Sequence, residues 1–281
     1  MTWHGQLDIR YTRDGDRTTA LDRHDGPLRV LQRLYPEHPS VCHHVLVHPP
    51  GGIAGGDVLN VDLALTEGSH ALLTTPGATR FYKSQGSEAV QRLRAEVAAG
   101  ARLEWLPLET IAYRGCRAVN QMAFHLSPGA EMLGWDVVAL GLPAAGERFD
   151  DPAFAHGRFT QEVHLPGVWL ERGTTAASDH TLLDSPLGWD GKRVMATLWW
   201  AAGSARTAGF REGLLDAARD CQAHSPVAAH SGSTSPHEQL VVMRVLADRV
   251  EPAMALLVQV WSRWRELAWD LPACPPRVWR T

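Results

Sequence analysis

The chain has 281 residues, 44% hydrophobic and 21% charged, with a net charge of −4. Those proportions describe a folded protein large enough for a substantial core, and the weakly negative balance gives no reason to expect nucleic acid as a partner. No run of about 18 apolar residues occurs, and Met1-Thr2-Trp3-His4-Gly5-Gln6-Leu7-Asp8 lacks the basic start and apolar stretch of an export signal, so no membrane partner is expected and the chain is read as cytoplasmic. Cys42, Cys116, Cys221 and Cys274 are scattered without a Cys-x-x-Cys pair and read as reduced thiols.

The first chemically suggestive residues are His43, His44 and His48. On a strand His44 and His48 share a face, but four residues of extended chain rise about 13 Å, too far for one ion without a bend. Stable metal binding is therefore not expected; a β-rich metal-dependent hydrolase using His43, His44 or His48 is the alternative reading. Directly after them, His48-Pro49-Pro50-Gly51-Gly52-Ile53-Ala54-Gly55-Gly56-Asp57 packs four glycines and two prolines between apolar runs. Such a composition specifies a backbone path. Gly51 and Gly56 have the spacing of a phosphate-binding loop, yet Asp57-Val58 stands where that motif requires Lys followed by Ser or Thr. An acidic residue there repels phosphate, so nucleotide binding by this loop is not expected.

From about residue 57 to 170 two-residue alternation dominates, as in Leu59, Val61, Leu63 and Leu65 against Asn60, Asp62 and Ala64. Met122, Phe124 and Leu126 repeat it, as do Phe159, Val163 and Leu165. Turn glycines Gly68, Gly100 and Gly129 recur 32 and 29 residues apart, each between strand-like runs, and Gly167 heads a looser fourth copy. The pattern predicts a mainly β fold of stacked antiparallel hairpins in a layered or solenoid-like architecture. Asp57, Glu104, Glu109, Asp136 and Glu147 lie at strand ends and beside the unusual loops, where acid and base groups can operate, while Ser84, Ser87 and Cys116 have no recognisable base. No catalytic, cofactor or metal residue is assigned.

After about residue 205 the pattern changes, which divides the single expected domain, 1–281, into a β-rich body of about 1–205 and a C-terminal part of about 206–281. Leu214, Leu215, Ala218 and Cys221 predict a helix at roughly 212–222, Ser225 to Pro236 reads as a mobile loop, and Leu240 to Leu246 as a strand. Pro252 sits where a first helical turn tolerates proline. Ala253, Leu256, Leu257, Val260, Trp261, Trp264, Leu267 and Ala268 then form one apolar stripe, predicting a helix over roughly 252–270 docked on its own domain and ended by Leu271-Pro272. The few helices are thus mostly C-terminal.

Taken in order, the motifs resemble those of the urease accessory protein family UreD, called UreH in some organisms, nearly end to end. The blocks are Gly26-Pro27-Leu28-Arg29-Val30 with Leu34-Tyr35-Pro36-Glu37, the loop His48 to Asp57, Thr74 to Ser84, Leu103 to Ile111, Gly134-Trp135-Asp136 through Gly141 with Gly146-Glu147-Arg148-Phe149, Val242 to Leu246, and Pro275 to Trp279. Asp136 stands where the pattern has glutamate and Leu142 where it has arginine, and Pro76-Gly77 and Arg80 also depart from it. The resemblance implies a non-catalytic scaffold in urease maturation, working in complex with UreF and the GTP-hydrolysing UreG and docking on urease apoprotein. It implies help in loading urease's nickel centre, with no stably bound cofactor and nickel present only in transit, passing through the scaffold along weak polar ligands. GTP then belongs to the partner, in keeping with the missing lysine after Gly56.

Overall fold

The computed structural model describes residues 2–142 and 145–280. Strands β1 (His4–Asp14) and β2 (Arg17–Asp25) form an antiparallel hairpin, followed by β3 (Arg29–Val30), β4 (Val41–Val47), β5 (Val58–Leu65), β6 (His70–Thr74), β7 (Thr79–Phe81) and β8 (Ala89–Val97). Next come β9 (Arg102–Trp105), β10 (Thr110–Ala112), β11 (Arg117–Leu126), β12 (Glu131–Leu142), β13 (Glu147–Arg148), β14 (Arg158–Leu165) and β15 (Trp169–Ala176). The remainder is α1 (His180–Asp184), β16 (Val194–Ala202), α2 (Ala208–Ala223), β17 (Ser231–His237), β18 (Leu240–Ala247) and α3 (Val250–Trp269).

Two sheets result. One has seven strands in the order β15-β14-β11-β8-β5-β1-β2; the other has eleven, along the path β17-β18-β16-β12-β9-β6-β4-β3, with β10 and β13 paired to β12 and β7 paired to β10. The mainly β, layered and solenoid-like architecture and the C-terminal position of the helices agree with the sequence. The pairing inside it differs. Each of the units β5–β6, β8–β9 and β11–β12 crosses at its glycine turn from the smaller sheet to the larger, so its strands are not hairpin partners; they pair in parallel with the equivalent strands of the next unit. Only the looser fourth copy, β14–β15, is a true hairpin. Alternation shows that one face is buried, but not which strand supplies the neighbouring backbone.

The corner explains the glycine repeat. Gly68, Gly100 and Gly129 have φ of 67°, 66° and 82° and lie in a column, the Gly100 amide donating to the Gly129 carbonyl at 3.1 Å and the Gly68 amide reaching the Ala99 carbonyl at 3.3 Å. A left-handed backbone is accessible to glycine without the steric cost that Cβ imposes.

The core has two layers. Between the sheets lie residues such as Leu7, Leu59, Leu93, Phe124 and Trp199. Between the larger sheet and the helices lie Trp135, Trp200, Leu214, Leu257, Trp261 and Trp264. Strands β12 and β16 feed both layers, so their sequences are almost continuously apolar, with neighbouring Trp199 and Trp200 buried on opposite faces. Ring edges meet ring faces across the second layer: Trp135 and Trp261 are 6.4 Å apart at 77°, Trp261 and Trp279 5.6 Å apart at 72°.

Both predicted C-terminal helices are present and longer than expected. Helix α2 begins at Ala208 behind a Thr207 cap whose hydroxyl accepts from the Phe210 amide at 3.3 Å. Helix α3 carries Pro252 in its first turn and stops where Asp270 turns left-handed at φ 53°, with Leu271-Pro272 just beyond. One member of the expected stripe, Leu267, is 52% exposed, and Arg265, which the stripe did not include, is fully buried. The Ser225–Pro236 segment is not the expected loop; it forms a short 3-10 turn over Ala228–His230 and then β17, the outer strand beside β18. An outer strand needs packing on one edge only, and Pro236 falls where the register shifts between Thr234 and His237, the kind of position in which proline costs no ladder bond.

Candidate functional site

The glycine- and proline-rich loop is a tight structural unit. The Asp57 carboxylate accepts from the Trp3 amide at 2.7 Å and the Ala54 amide at 2.9 Å, so the residue that excluded a phosphate cradle fastens the loop. Ile53 then pairs with the next block, donating to the Arg80 carbonyl at 2.7 Å and accepting from the Tyr82 amide at 2.9 Å. Close approach explains two glycines. A Cβ on Gly52 would lie 2.2 Å from the Tyr82 ring, and one on Gly55 would lie 2.3 Å from Ser84 Oγ and 2.9 Å from the Ser87 carbonyl. Gly56 adds a φ of 96°, whereas Gly55 is constrained by space alone. Gly55→Val and Gly56→Val are each expected to destabilise the protein by about 1–3 kcal/mol through crowding and backbone strain. Denaturant melts check this; variants as stable as the parent would remove the structural role.

Behind the loop, the two sheets do not close completely. A 280 Å³ cavity is lined by His48 and Gly52 from the loop, Thr79 and Arg80 from the following block, Trp105 and Pro107 from the next, and Asp136 from β12. Leu28 of the first block lines it too, so five of the sequence blocks that carry the family resemblance converge on one space. Its floor is polar. Gln91 on β8, Asn120 on β11 and Gln161 on β14 occupy one row of the parallel sheet, in register and pointing inward. Gln91 Nε2 donates to Asn120 Oδ1 at 3.2 Å and Asn120 Nδ2 to Gln161 Oε1 at 3.3 Å; Gln161 Nε2 then crosses to the opposite sheet and donates to Asp136 Oδ2 at 2.6 Å.

Asp136 also lines a second cavity of 310 Å³, with Gln161, Thr197, Glu171 and Arg244 around it. Asp136, Thr197 and Arg244 form a row across β12, β16 and β18 facing the amide row. Arg244 donates to Thr197 Oγ1 at 3.3 Å and pairs with Glu171. Asp136 is thus the shared wall of two internal spaces and is 8% exposed. Burial pushes its carboxyl up to about 7, opposed by the Gln161 hydrogen bond and helped by the nearby Glu171 charge. A carboxyl so placed exchanges its proton near neutrality.

The other candidate residues are dispersed. His43 Nε2 bonds Glu37 at 2.7 Å, His44 Nδ1 bonds the Tyr11 hydroxyl at 2.8 Å, and His48 lines the first cavity with Nε2 unpartnered. These three histidines do not converge, and among the described residues no three His, Cys, Asp or Glu side chains are grouped to hold a metal ion. Cys116 is buried, its thiol pushed up to about 12 by burial, and Ser84 bonds the Ser87 carbonyl. Glu147 lies 3.8 Å from Arg114, and Glu109 is half-buried away from the amide row. Glu104 is fully buried, accepting from His70 at 2.8 Å, Trp261 Nε1 at 2.7 Å and Arg265 Nε at 3.1 Å. Arg265 also donates to both Glu37 oxygens at 2.8 and 2.7 Å, linking α3 to the segment between β3 and β4. Burial alone would raise the Glu104 carboxyl, but the His70 hydrogen bond and the Arg265 charge bring it down to about 2.

The amide row escaped the sequence reading. One signal was available: Gln91 and Asn120 each stand nine residues before a corner glycine, Gly100 and Gly129, so they occupy the same place in successive repeats.

Fold and interior together define a two-sheet β protein whose two inter-sheet cavities share the Asp136 side chain. The chain matches the family model "UreD urease accessory protein" over residues 4–280. It is 57% identical over 283 residues to the urease accessory protein UreD of Leptothrix cholodnii, and 52% identical over 281 residues to that of Variovorax paradoxus, both across the whole of each chain. The protein of the same name from Paracidovorax citrulli is 53% identical over 99% of both chains. The chain belongs to the UreD family of urease accessory proteins.

Proposed function

We propose that this chain is a non-catalytic scaffold of urease maturation that passes nickel through its interior while held in a cytoplasmic complex with UreF, the GTPase UreG and urease apoprotein. Family membership supplies the pathway, and one observation supports the passage: two internal cavities meet at Asp136, at the end of the in-register row Gln91–Asn120–Gln161. Amide and hydroxyl oxygens with one carboxylate are hard, weak ligands for a divalent ion. Weak ligands suit transfer, because an ion held tightly at an intermediate point is not delivered. Nucleotide chemistry is assigned to the partner, in keeping with Asp57 fastening the Gly51–Gly56 loop where a phosphate-binding loop would carry lysine. The hydrolase alternative gains no support from the geometry, because His43, His44 and His48 each turn to different surroundings. No helix among the described residues is long and apolar enough to cross a membrane.

Co-expression of urease and its other accessory proteins with and without this chain, at limiting nickel, tests the assignment. Urease is expected to lose both activity and bound nickel when the chain is omitted. Full nickel occupancy without it would defeat the scaffold reading.

A further inference from the structure

The mouth of the 280 Å³ cavity carries a group of side chains that lies outside the amide row. Arg80 on β7 lines the cavity and is also exposed to solvent. The chain is extended on either side of the buried Phe81, so Tyr82 turns to the same side as Arg80, where it is 37% exposed. The Tyr82 and Tyr113 rings lie 5.5 Å apart at 41°, and the Arg80 guanidinium acts electrostatically on the Tyr113 phenol. One cation thus stands with two aromatic rings at the rim.

The rings are held in place before anything binds. Tyr82 lies so close to Gly52 that a Cβ there would be 2.2 Å from its ring, and its amide donates to the Ile53 carbonyl at 2.9 Å. The Tyr113 amide donates to the Phe81 carbonyl at 3.0 Å. A partner that covers these rings has little left to order, which lowers the entropic cost of association.

The charge, by contrast, is unmatched. Arginines of the adjoining loops have carboxylates, Arg114 with Asp151 at 3.0 Å and Arg148 with Asp150 at 2.8 Å. Arg80 has no carboxylate within ion-pair distance among the described residues; Glu109, whose carbonyl accepts from the Thr79 amide, forms no pair with it. Tyrosine and arginine are the residue types that concentrate binding energy at protein interfaces, and an exposed guanidinium without a carboxylate fits one supplied from outside. Its position adds a reason. A divalent cation arriving alone at this mouth meets a like charge, whereas a carboxylate paired with the guanidinium removes that repulsion.

We propose that the rim formed by Arg80, Tyr82 and Tyr113 is a docking surface for an acidic patch of a partner protein, whose carboxylate pairs with the Arg80 guanidinium while an apolar group covers the two rings. The inference rests on the reading of the cavity as a passage, and it makes this mouth an end that a partner seals.

The test is surface plasmon resonance on the full-length chain in nickel-free buffer, with purified UreF, UreG and urease apoprotein passed over it one at a time. Two salt concentrations are used, about 0.1 M and about 1 M, at which charges are screened within about 10 Å and about 3 Å. Arg80→Glu is expected to weaken binding of one of the three roughly tenfold at the lower salt, mainly through slower association, with the difference shrinking at the higher. Arg80→Lys should keep most of the affinity, Tyr82→Ala should weaken the same partner at both salts, and Arg219→Gln on α2 should change nothing. Equal affinity of parent and Arg80→Glu for all three partners would overturn the proposal, as would a loss equally large at both salts. Sedimentation of the chain alone as a dimer that Arg80→Glu separates would also overturn it, because the rim would then belong to a second copy. Matching thermal melts of parent and variants confirm that binding alone is read. No nickel enters the measurement, so a failure here is distinct from a failure of the passage, which is judged at Asp136.

Discussion

Arg265→Met is expected to destabilise the protein by about 3–5 kcal/mol, because it leaves the buried Glu104 and the half-buried Glu37 carboxylates without their guanidinium partner. Arg265 is fully buried, donates to Glu104 and to both oxygens of Glu37, and also reaches the Pro272 carbonyl beyond the helix end. Methionine fills similar volume, so the loss reports charge and hydrogen bonding more than packing. Urea unfolding measures it, and a loss below about 1 kcal/mol would show that water or rearrangement replaces the guanidinium. A double-mutant cycle with Glu104→Gln should be strongly non-additive, since both substitutions remove the same contact.

The same network makes stability depend on acid. Glu104 is held at about 2 in the folded protein, below its ordinary 4.5. Its folded-state value is depressed, so its contribution is complete above the ordinary value and disappears as pH falls from there through about 2. Glu37, also lowered against the opposing effect of burial by its bonds to His43 and Arg265, acts in the same direction. The stability difference between the parent and Glu104→Gln should therefore shrink steadily across that acid range.

If nickel passes between the two cavities as proposed, Asp136→Leu is expected to lower urease nickel content and activity roughly tenfold at limiting nickel while the chain still folds, because it removes the one carboxylate that, among the described residues, lines both cavities. Asp136→Glu, which restores the residue that the family pattern has here, should retain activation. Metal analysis of co-expressed urease decides the point, and full loading with Asp136→Leu would remove the passage through this position. Stability should move the other way. The folded carboxyl is raised from 3.8 to about 7, so the folded state binds the extra proton between those values; its contribution is complete below the lower value and is lost as pH rises through about 7. Asp136→Asn, which remains neutral, should lose less stability between pH 6 and pH 8 than the parent, in the range set by that folded value.

The positions that the sequence revealed and those it concealed have physical causes. Strands with one buried face write their identity as alternation, so β5 and β14 were found at nearly their observed limits. Chain ends of helices follow local backbone rules, and Pro252 and Leu271-Pro272 bracketed α3 closely. By contrast, Arg265 interrupts an apolar stripe, and nothing in a linear pattern shows that Glu104, 161 residues earlier, is waiting beneath it. Gln91, Asn120 and Gln161 look like ordinary polar members of strands until their face is known. The Ser- and Gly-rich β17 looks like a loop because an outer strand obtains its order from the neighbour it pairs with.

Composition, alternation, corner glycines and ordered motifs by themselves determined the β-rich class, the C-terminal helices and the family, because each is a local rule or a contiguous run of residues. Tertiary structure alone decided that the repeats are sheet-crossing corners and that three amides align with Asp136 between two cavities. Those features arise from contacts between residues tens of positions apart, and side-chain direction and burial, which turn a polar residue into a site, exist only once the sheets are stacked.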